Sequence, residues 1–547
     1  MVRHHTEMPH IVAALAAMAF GIQAWWVLSN GYLADDAYIL FSYVENLAAG
    51  NGIAFYPGGA PAEGATDFLW MIFLSGLVAL GLDVAVASLL LNMAGAYLLA
   101  FILARRTMAG PGWGLHNLHL PLLAVLVAVS WIANAGLAGF GTVFYAAFCL
   151  LLLDILLDEA DSRLLWIPLL GLFVGLIRPD GVIIGVVATL VALIRVRRRP
   201  ILLRYLGVAA LAAIAGLAYF AWRYSYFGLL LPLPLYVKGT TGDPFAGWPG
   251  NRLWMVFNFP LLLLLPFGAG LLRVSPRRYI LALLPFASLF VALSFVQQWQ
   301  NVATRFQAPL SGVLLYVLAA FLASATRAGA TARRRAVAGV LAAVTAGFWT
   351  TAIFLKIGVL TTPDYTDDFA KRLGGIVGPD AVLAVTEAGR LSFWTDARVV
   401  DLVGLNTPET ALNRLEGDLL ESIAPDVIML NTAGVPTVPA ELYGGRPFMV
   451  LDVDTVVSLA PDHITQADRD SLPSNRRIPL VVYDYLKSNP GRYTVVVVRY
   501  REEHMHLYAV RRDSIDIAVF LEELRVSSEV ANFTSYFELR ETSFARE

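Results

Sequence analysis

DFLWMIFLSGLVALGL, residues 67–82, is the stretch on which the topology of this chain turns. It is apolar enough to cross a membrane, yet its 16 residues fall short of the about 20 that a spanning helix needs. If it crosses, Arg105-Arg106 and every later basic cluster move to the outer face. If it does not, Arg105-Arg106, Arg195 to Arg199, Arg277-Arg278 and Arg333-Arg334-Arg335 all fall on the cytoplasmic side. Cytoplasmic loops carry the excess of Lys and Arg, so the second arrangement is the expected one. The acidic loop Asp158 to Asp161 is no objection, because acids weigh little in that rule. Residues 67–82 are therefore read as a re-entrant or interfacial helix inside one long outer loop, 30–83.

The rest of the composition agrees with a membrane chain. Of 547 residues, 57% are hydrophobic and 15% charged, and the mean hydropathy is +0.63. Those values exclude a soluble domain of this size and point to a polytopic α-helical membrane protein. Eleven apolar segments serve as spans: 9–29, 84–104, 119–135, 143–157, 164–177, 182–194, 205–223, 253–272, 279–296, 308–326 and 337–357. Arg3 ahead of the first run resembles the start of a signal peptide. No small-residue cleavage site follows it, only Trp25, Trp26 and then Asp35-Asp36, so an uncleaved first helix is expected. The lone Cys149 excludes a disulfide framework and a thiolate metal cage. A net charge of −2 and the lack of a basic-aromatic tract argue against nucleic acid as a partner. Four Lys against 36 Arg, with abundant Ala, suggest a GC-rich bacterial source.

Hydropathy falls near residue 358 and divides the chain. Residues 1–357 form the transmembrane domain with its long outer loop, and 358–547 form an extracytoplasmic α/β domain. Within the tail the patterning predicts a helix near 366–376 and strands at 381–386, 397–402, 427–430 and 494–500. No internal repeat is visible, which counts against an inverted-repeat transporter.

The loop 30–83 holds no Lys or Arg in 54 residues, and it opens on the adjacent acids Asp35 and Asp36. The structural reading is a helix N-cap, since the apolar spacing of the following residues is helical and ends at Gly50. One Asp suffices as a cap, which leaves the other for proton abstraction from a substrate. Glu63 and Asp67 flank the approach to 67–82, either as caps or as acceptor contacts. Cations on the outer rim are few: Arg178, Arg223, Lys238, Arg252 and Arg305. An Arg at bilayer depth costs about 2.5–3.5 kcal/mol on insertion scales, so a cation kept there wants an anionic partner such as a lipid phosphate. Arg223 and Arg252 fit span ends where side chains snorkel. Arg178, in RPDG, pairs either with Asp180 or with a phosphate. Lys238 in PLPLYVKG and Arg305 in TRFQAP are the leading phosphate ligands. His504-Met505-His506 has metal spacing only in a strand and lacks a third ligand nearby, so no metal is assigned to it.

The segment ADDAYILFSYVENLAAGNGIAFYPGGAPAEGATDFLW, 34–70, resembles the first outer loop of bacterial GT-C glycosyltransferases. Further blocks follow in order: GLIRPDG (175–181), WRYSYFGLLLPLPLYVKG (222–239), TRFQAPL (304–310) and EAGRLSFWTDARVVDLVGLNTPE (387–409). Within that class the double-Asp loop and the outer tail are most similar to the lipid-linked arabinofuranosyltransferases, which include the terminal β-(1→2)-arabinofuranosyltransferases. Two departures stand out. Where relatives often carry Gly-x-Glu-Thr, this chain has Gly139-Phe140-Gly141-Thr142, and where many have Asn after the loop proline it has LPLPLYVKG.

The resemblance implies a GT-C fold of about eleven transmembrane helices and an inverting transfer of a sugar, D-arabinofuranose being the first choice. The donor would be a polyprenyl phosphate such as decaprenyl phosphate. The acceptor would be a hydroxyl of a cell-envelope glycan or protein, at the outer face of a bacterial inner membrane. The family's base falls on Asp35 with Asp36 in support, its phosphate contacts on Lys238, Arg305 and Arg178, and acceptor contacts on Glu63 and Asp67. Glu387, Asp396 and Asp401 are the tail's polar candidates for acceptor binding. No cofactor is required, although Asp35 and Asp36 are compatible with a divalent ion. The competing readings are a lipid-glycan flippase or transporter, and a polymerase or ligase using a pyrophosphate-linked donor.

Overall fold

The computed structural model describes residues 4–109, 114–238, 245–298, 301–327, 329–432, 438, 443–458, 472, 474–501 and 504–530. The chain folds as two compact units. One comprises Met1–Leu33, Asp67–Gly228 and Thr241–Leu360, the other Ala34–Thr66, Leu229–Thr240 and Thr361–Glu547. Much of the predicted outer loop, together with a short segment near 230, thus belongs to the same unit as the tail.

The first unit is helical, because its apolar runs leave the backbone no partners in a bilayer other than its own i→i−4 bonds. Among the described residues seven stretches are long and apolar enough to cross a membrane, among them Glu7–Asn30, Val84–Thr107, Leu202–Phe227 and Val302–Thr326. Ala308–Thr326 is buried on almost every side and forms the middle of the bundle. Leu202–Phe227 instead exposes Leu203, Leu211, Ile214 and Leu217, the surface of a helix that faces lipid. An eighth candidate is broken: Trp248–Phe257 and Phe259–Leu272 meet at 83°. Pro260 has no amide hydrogen for the ladder and its ring clashes with the carbonyl one turn earlier, which places the bend there.

Every predicted span falls mainly on helix, although 119–135 is divided between His119–Ala128 and Trp131–Leu137, 164–166 lies in a 3-10 turn, and 279–296 runs past the helix end at Leu293. Three of them are short, however: Thr142–Leu157, Ile167–Ile177 and Gly181–Val196 have 16, 11 and 16 residues, about 24, 17 and 24 Å at 1.5 Å per residue. The decisive segment forms the helix Phe68–Ala79, whose 12 residues reach only about 18 Å, well short of a bilayer core of about 30 Å. Where Ile167–Ile177 and Gly181–Val196 pack, Gly171 and Gly185 face each other. A Cβ on Gly185 would stand 2.4 Å from the Gly171 carbonyl oxygen, so only hydrogen fits at this crossing.

The second unit is built on a six-stranded mixed sheet. Its strands are β1 Val382–Val385, β2 Arg398–Asp401, β3 Val427–Asn431, β4 Phe448–Leu451, β5 Tyr493–Arg501 and β6 His504–Arg511, in the order β2-β1-β3-β6-β5-β4. β1 pairs in parallel with β2 and β3, and the other neighbours are antiparallel. The parallel strands read as continuous apolar runs because both faces are covered. The four predicted strands are present, and β4 and β6 are additional. The predicted tail helix is Tyr365–Ile376. The helix Asp35–Ala48 packs on the tail's short helix Arg390–Trp394: the Tyr38 ring lies 5.2 Å from Phe393, and the Ser42 and Ser392 hydroxyls are 3.0 Å apart.

Candidate active site

The predicted N-cap does not form. Ala34 holds the cap position of Asp35–Ala48, and no side chain caps that helix. The Asp35 carboxylate turns to the tail instead. It accepts the backbone N–H of Gly389 at 3.2 Å and that of Arg390 at 2.9 Å, and it lies 3.5 Å from the Arg390 guanidinium. The approach is so close that a Cβ on Gly389 would meet the Asp35 carbonyl oxygen at 2.0 Å, which is why glycine stands there. Arg390 bridges a second acid by donating from Nε to Asp367, a residue 1% exposed.

Glu387 completes this cluster. It accepts from Asn431 Nδ2 at 2.7 Å and lies 3.6 Å from His506 Nε2. On its other nitrogen His506 meets the Tyr365 hydroxyl, which lies 3.4 Å from that of Tyr508. His506 sits on β6 opposite Asn431, so strand register brings it to the site. Among the described residues no group of three or more His, Cys, Asp or Glu is placed to hold a metal ion.

The electrostatics follow from burial and these partners. Burial pushes the Asp35 carboxyl up to about 6; Arg390 opposes the rise, and the charge of Glu387 adds to it. Burial likewise lifts Asp367 to about 7 against the pull of Arg390. Burial also disfavours the Glu387 anion, but His506 and Asn431 outweigh it and hold that carboxyl at about 2. Asp35 is thus a carboxylate of enhanced basicity, ionised at neutral pH and able to take a proton.

The remaining predicted residues fall into separate groups. Asp36 is half-buried beside Asp35. Glu63 is buried, and its backbone carbonyl accepts from Leu233 at 3.2 Å, at the start of the helix Leu233–Lys238 that ends in half-buried Lys238. Asp401 is committed to its own turn, accepting from the amides of Val403, Gly404 and Asn406, while Asp396 is exposed.

In the first unit Asp67 does not cap its helix but pairs with Arg178 at 3.1 Å, and Asp180 holds the same guanidinium at 3.0 Å. Arg178 and Arg305 flank one ring, at 5.5 and 5.4 Å from the centre of Phe306. Arg305 also stacks on Phe140 at 3.9 Å. Its turn is strained: Ala303 and Thr304 hold φ of 52° and 49°, a region a β-branched residue seldom enters. Trp131 Nε1 bonds Thr304, and Asn301 anchors the turn by donating to Gln298 and Gln307, each at 2.8 Å. The departure at Gly141 has a steric cause, because a Cβ there would come within 2.6 Å of the Trp70 ring. Of the two rim arginines read as snorkelling, Arg252 is exposed and Arg223 is 4% exposed.

Sequence reading missed Arg390 and Asp367, and it weighed His506 only as a metal ligand within His504-Met505-His506. The one available signal was the Gly-Arg step within EAGRL, which lay in a block already singled out.

Comparison with known proteins agrees with this description. Residues 363–470 match a domain of unknown function, DUF8728. The chain is 27% identical over 286 residues to the terminal β-(1→2)-arabinofuranosyltransferase of Mycobacterium tuberculosis strain H37Rv. The match covers 48% of this chain and 43% of the relative, so it spans less than half of that protein's length. Among solved structures, ArnT from Cupriavidus metallidurans bound to undecaprenyl phosphate superimposes with a TM-score of 0.51 at 13% identity, over 79% of this chain and 93% of that one. The apo form of the same protein gives 0.49 at 14% identity, over the same shares of each chain. This chain is a multi-pass membrane protein of the GT-C fold with a C-terminal α/β domain, and in sequence it is similar to a terminal arabinofuranosyltransferase.

Proposed function

We propose that the protein is an inverting glycosyltransferase that moves a sugar, D-arabinofuranose as first choice, from a polyprenyl-phosphate donor to a hydroxyl of a cell-envelope glycan or protein. The reaction is assigned to the outer face of a bacterial inner membrane. Asp35 takes the proton of the acceptor hydroxyl. The oxygen then forms its bond to the anomeric carbon from the face opposite the phosphate, and the bond to the phosphate oxygen breaks. Polyprenyl phosphate leaves as a stable anion, so no general acid is needed, and cations take that role. Arg305 and Lys238 are assigned to the donor phosphate, with Arg178 beside Arg305. Asp36, Glu63 and Asp67 are assigned supporting and acceptor-side roles.

The observation that carries this reading is the Asp35 carboxylate, lifted to about 6 by burial while aligned by two backbone amides. Asp367 is also basic but is 1% exposed, which leaves Asp35 as the carboxylate placed for one proton abstraction, whereas a glycosidase needs a pair flanking the scissile bond. The fold and the similarity to an arabinofuranosyltransferase support the same class.

The test is transfer by the purified protein in detergent or nanodiscs, with radiolabelled sugar on a polyprenyl monophosphate or on a polyprenyl pyrophosphate. Transfer from the monophosphate alone, with inverted configuration in the product, is expected. Transfer from the pyrophosphate alone would replace this reading by a polymerase or ligase. Lipid translocation without transfer would replace it by a flippase.

A further inference from the structure

At the Arg-rich end of the helical unit two cavities share the side chain of Arg327. The larger, about 550 Å³, is mostly apolar and is lined by residues that include Leu118, Leu122, Leu322, Ala338 and Ala342. The smaller, about 210 Å³, is lined by Arg273, Arg327 and Arg334 together with Leu271 and small residues. Among the described residues no carboxylate lines either cavity. None of these three arginines forms an ion pair within the described chain. Burial and the like charges of Arg273 and Arg334 together hold the Arg327 guanidinium below its usual proton affinity.

A further observation points to a missing polar partner. His116 and His119 border the larger cavity, and the Nε2 atom of each is buried with no hydrogen-bond partner in the described chain. Their placement is fixed: Thr326 donates to the His116 carbonyl at 2.9 Å, and its hydroxyl lies 3.1 Å from His119 Nδ1. An apolar chamber opening on clustered guanidiniums matches an amphiphile with an anionic head.

We propose that the two cavities form one binding site for an anionic phospholipid, its phosphate held by Arg273, Arg327 and Arg334 and an acyl chain lying in the apolar chamber. Free phosphate shares the head-group chemistry but leaves that chamber without a role. The site uses none of the residues assigned to sugar transfer, so it stands or falls independently of them.

The test is native mass spectrometry of the full chain, delipidated in detergent and titrated with phosphatidylglycerol or with phosphatidylcholine of the same acyl chains. The wild type should retain phosphatidylglycerol at least about tenfold better, as expected when several arginines meet one head group. Arg334→Gln, at an exposed position, should reduce that preference several-fold, and the Arg273→Gln, Arg327→Gln, Arg334→Gln triple variant should abolish it. Gly339 borders the larger cavity and has open space at its Cβ, so Gly339→Leu should lower retention of both lipids. Equal retention of the two lipids by the wild type would overturn the proposal. So would a preference unchanged in the triple variant, or displacement of phosphatidylglycerol by millimolar inorganic phosphate.

Discussion

The Asp35 carboxylate accepts the Arg390 backbone N–H at 2.9 Å and faces the same residue's guanidinium at 3.5 Å, across 355 residues of sequence. One residue therefore both aligns the carboxylate and moderates its basicity. Arg390 in turn is shared with buried Asp367, so its positive charge is divided between two acids. With Glu387 close enough to add its negative charge, Asp35 stays more basic than an ordinary aspartate despite its ion pair.

The first prediction concerns the pH dependence of transfer. A base lifted to about 6 must lose its proton before it works, so kcat/KM should rise with pH and reach half its maximum near 6. Glu387→Gln removes a negative charge from the surroundings of Asp35 and should move that midpoint to lower pH. Arg390→Gln removes a positive charge and should move it higher. Transfer rates between pH 4.5 and 8.5 for the three proteins check this, and shifts in the same direction would contradict the arrangement.

Acid stability follows from Glu387. Its folded-state value of about 2 lies below the ordinary 4.5, so the folded state binds fewer protons than the unfolded one between these values. The stability this group contributes is present above about 4.5 and is lost as pH falls toward about 2. Glu387→Gln should lower thermal stability most above pH 5, where the contribution is fully present, and should flatten the acid limb between about 4.5 and about 2. An unchanged acid limb would mean that the pairing with His506 and Asn431 is not formed.

Gly389→Ala places a methyl 2.0 Å from the Asp35 carbonyl oxygen and 2.6 Å from its carbonyl carbon, backbone atoms that can yield only by a shift of the helix that carries them. Overpacking of this kind costs roughly 1–3 kcal/mol, with displacement of the Asp35–Ala48 helix as the alternative. Lower thermal stability, or faster exchange confined to residues 35–48 by hydrogen–deuterium mass spectrometry, is the expected result.

Arg305→Lys separates charge from shape. Lysine keeps the positive charge but lacks the flat guanidinium that stacks on Phe140 at 3.9 Å. A stacked cation contributes about 0.5–2 kcal/mol, so the donor KM should rise by roughly 2- to 30-fold with a smaller change in kcat. Steady-state kinetics with varied lipid donor measure it.

The helices were legible because hydropathy over a bilayer-length window is a local signal, and the re-entrant reading of 67–82 rested on where the later arginines had to lie. Four strands were legible as apolar runs. FMVL of β4, no shorter than β1 or β2, is a partly exposed strand at the end of the sheet and was passed over, and in β6 the histidines of HMHLYAVR obscure the apolar pattern. Asp35 was visible as an acid in a loop without cations, but its partner was not, because nothing local marks a contact 355 residues away. The same holds for Asp67 with Arg178, 111 residues apart, whereas Arg178 with Asp180 could be read within RPDG. The expected cap failed for a tertiary reason: the Asp35 side chain meets stronger donors on the tail than on its own helix.

The most direct test of the central claim is Asp35→Asn. Asparagine keeps one side-chain oxygen for the Arg390 amide and gives up the bond from the Gly389 amide, so the base is lost at the expense of one hydrogen bond, about 1 kcal/mol. Transfer from a polyprenyl-phosphate sugar should fall by about 10²–10⁴-fold, with donor binding and thermal unfolding close to wild type. Transfer by this variant within a few-fold of wild type, with the same pH dependence, would contradict the account.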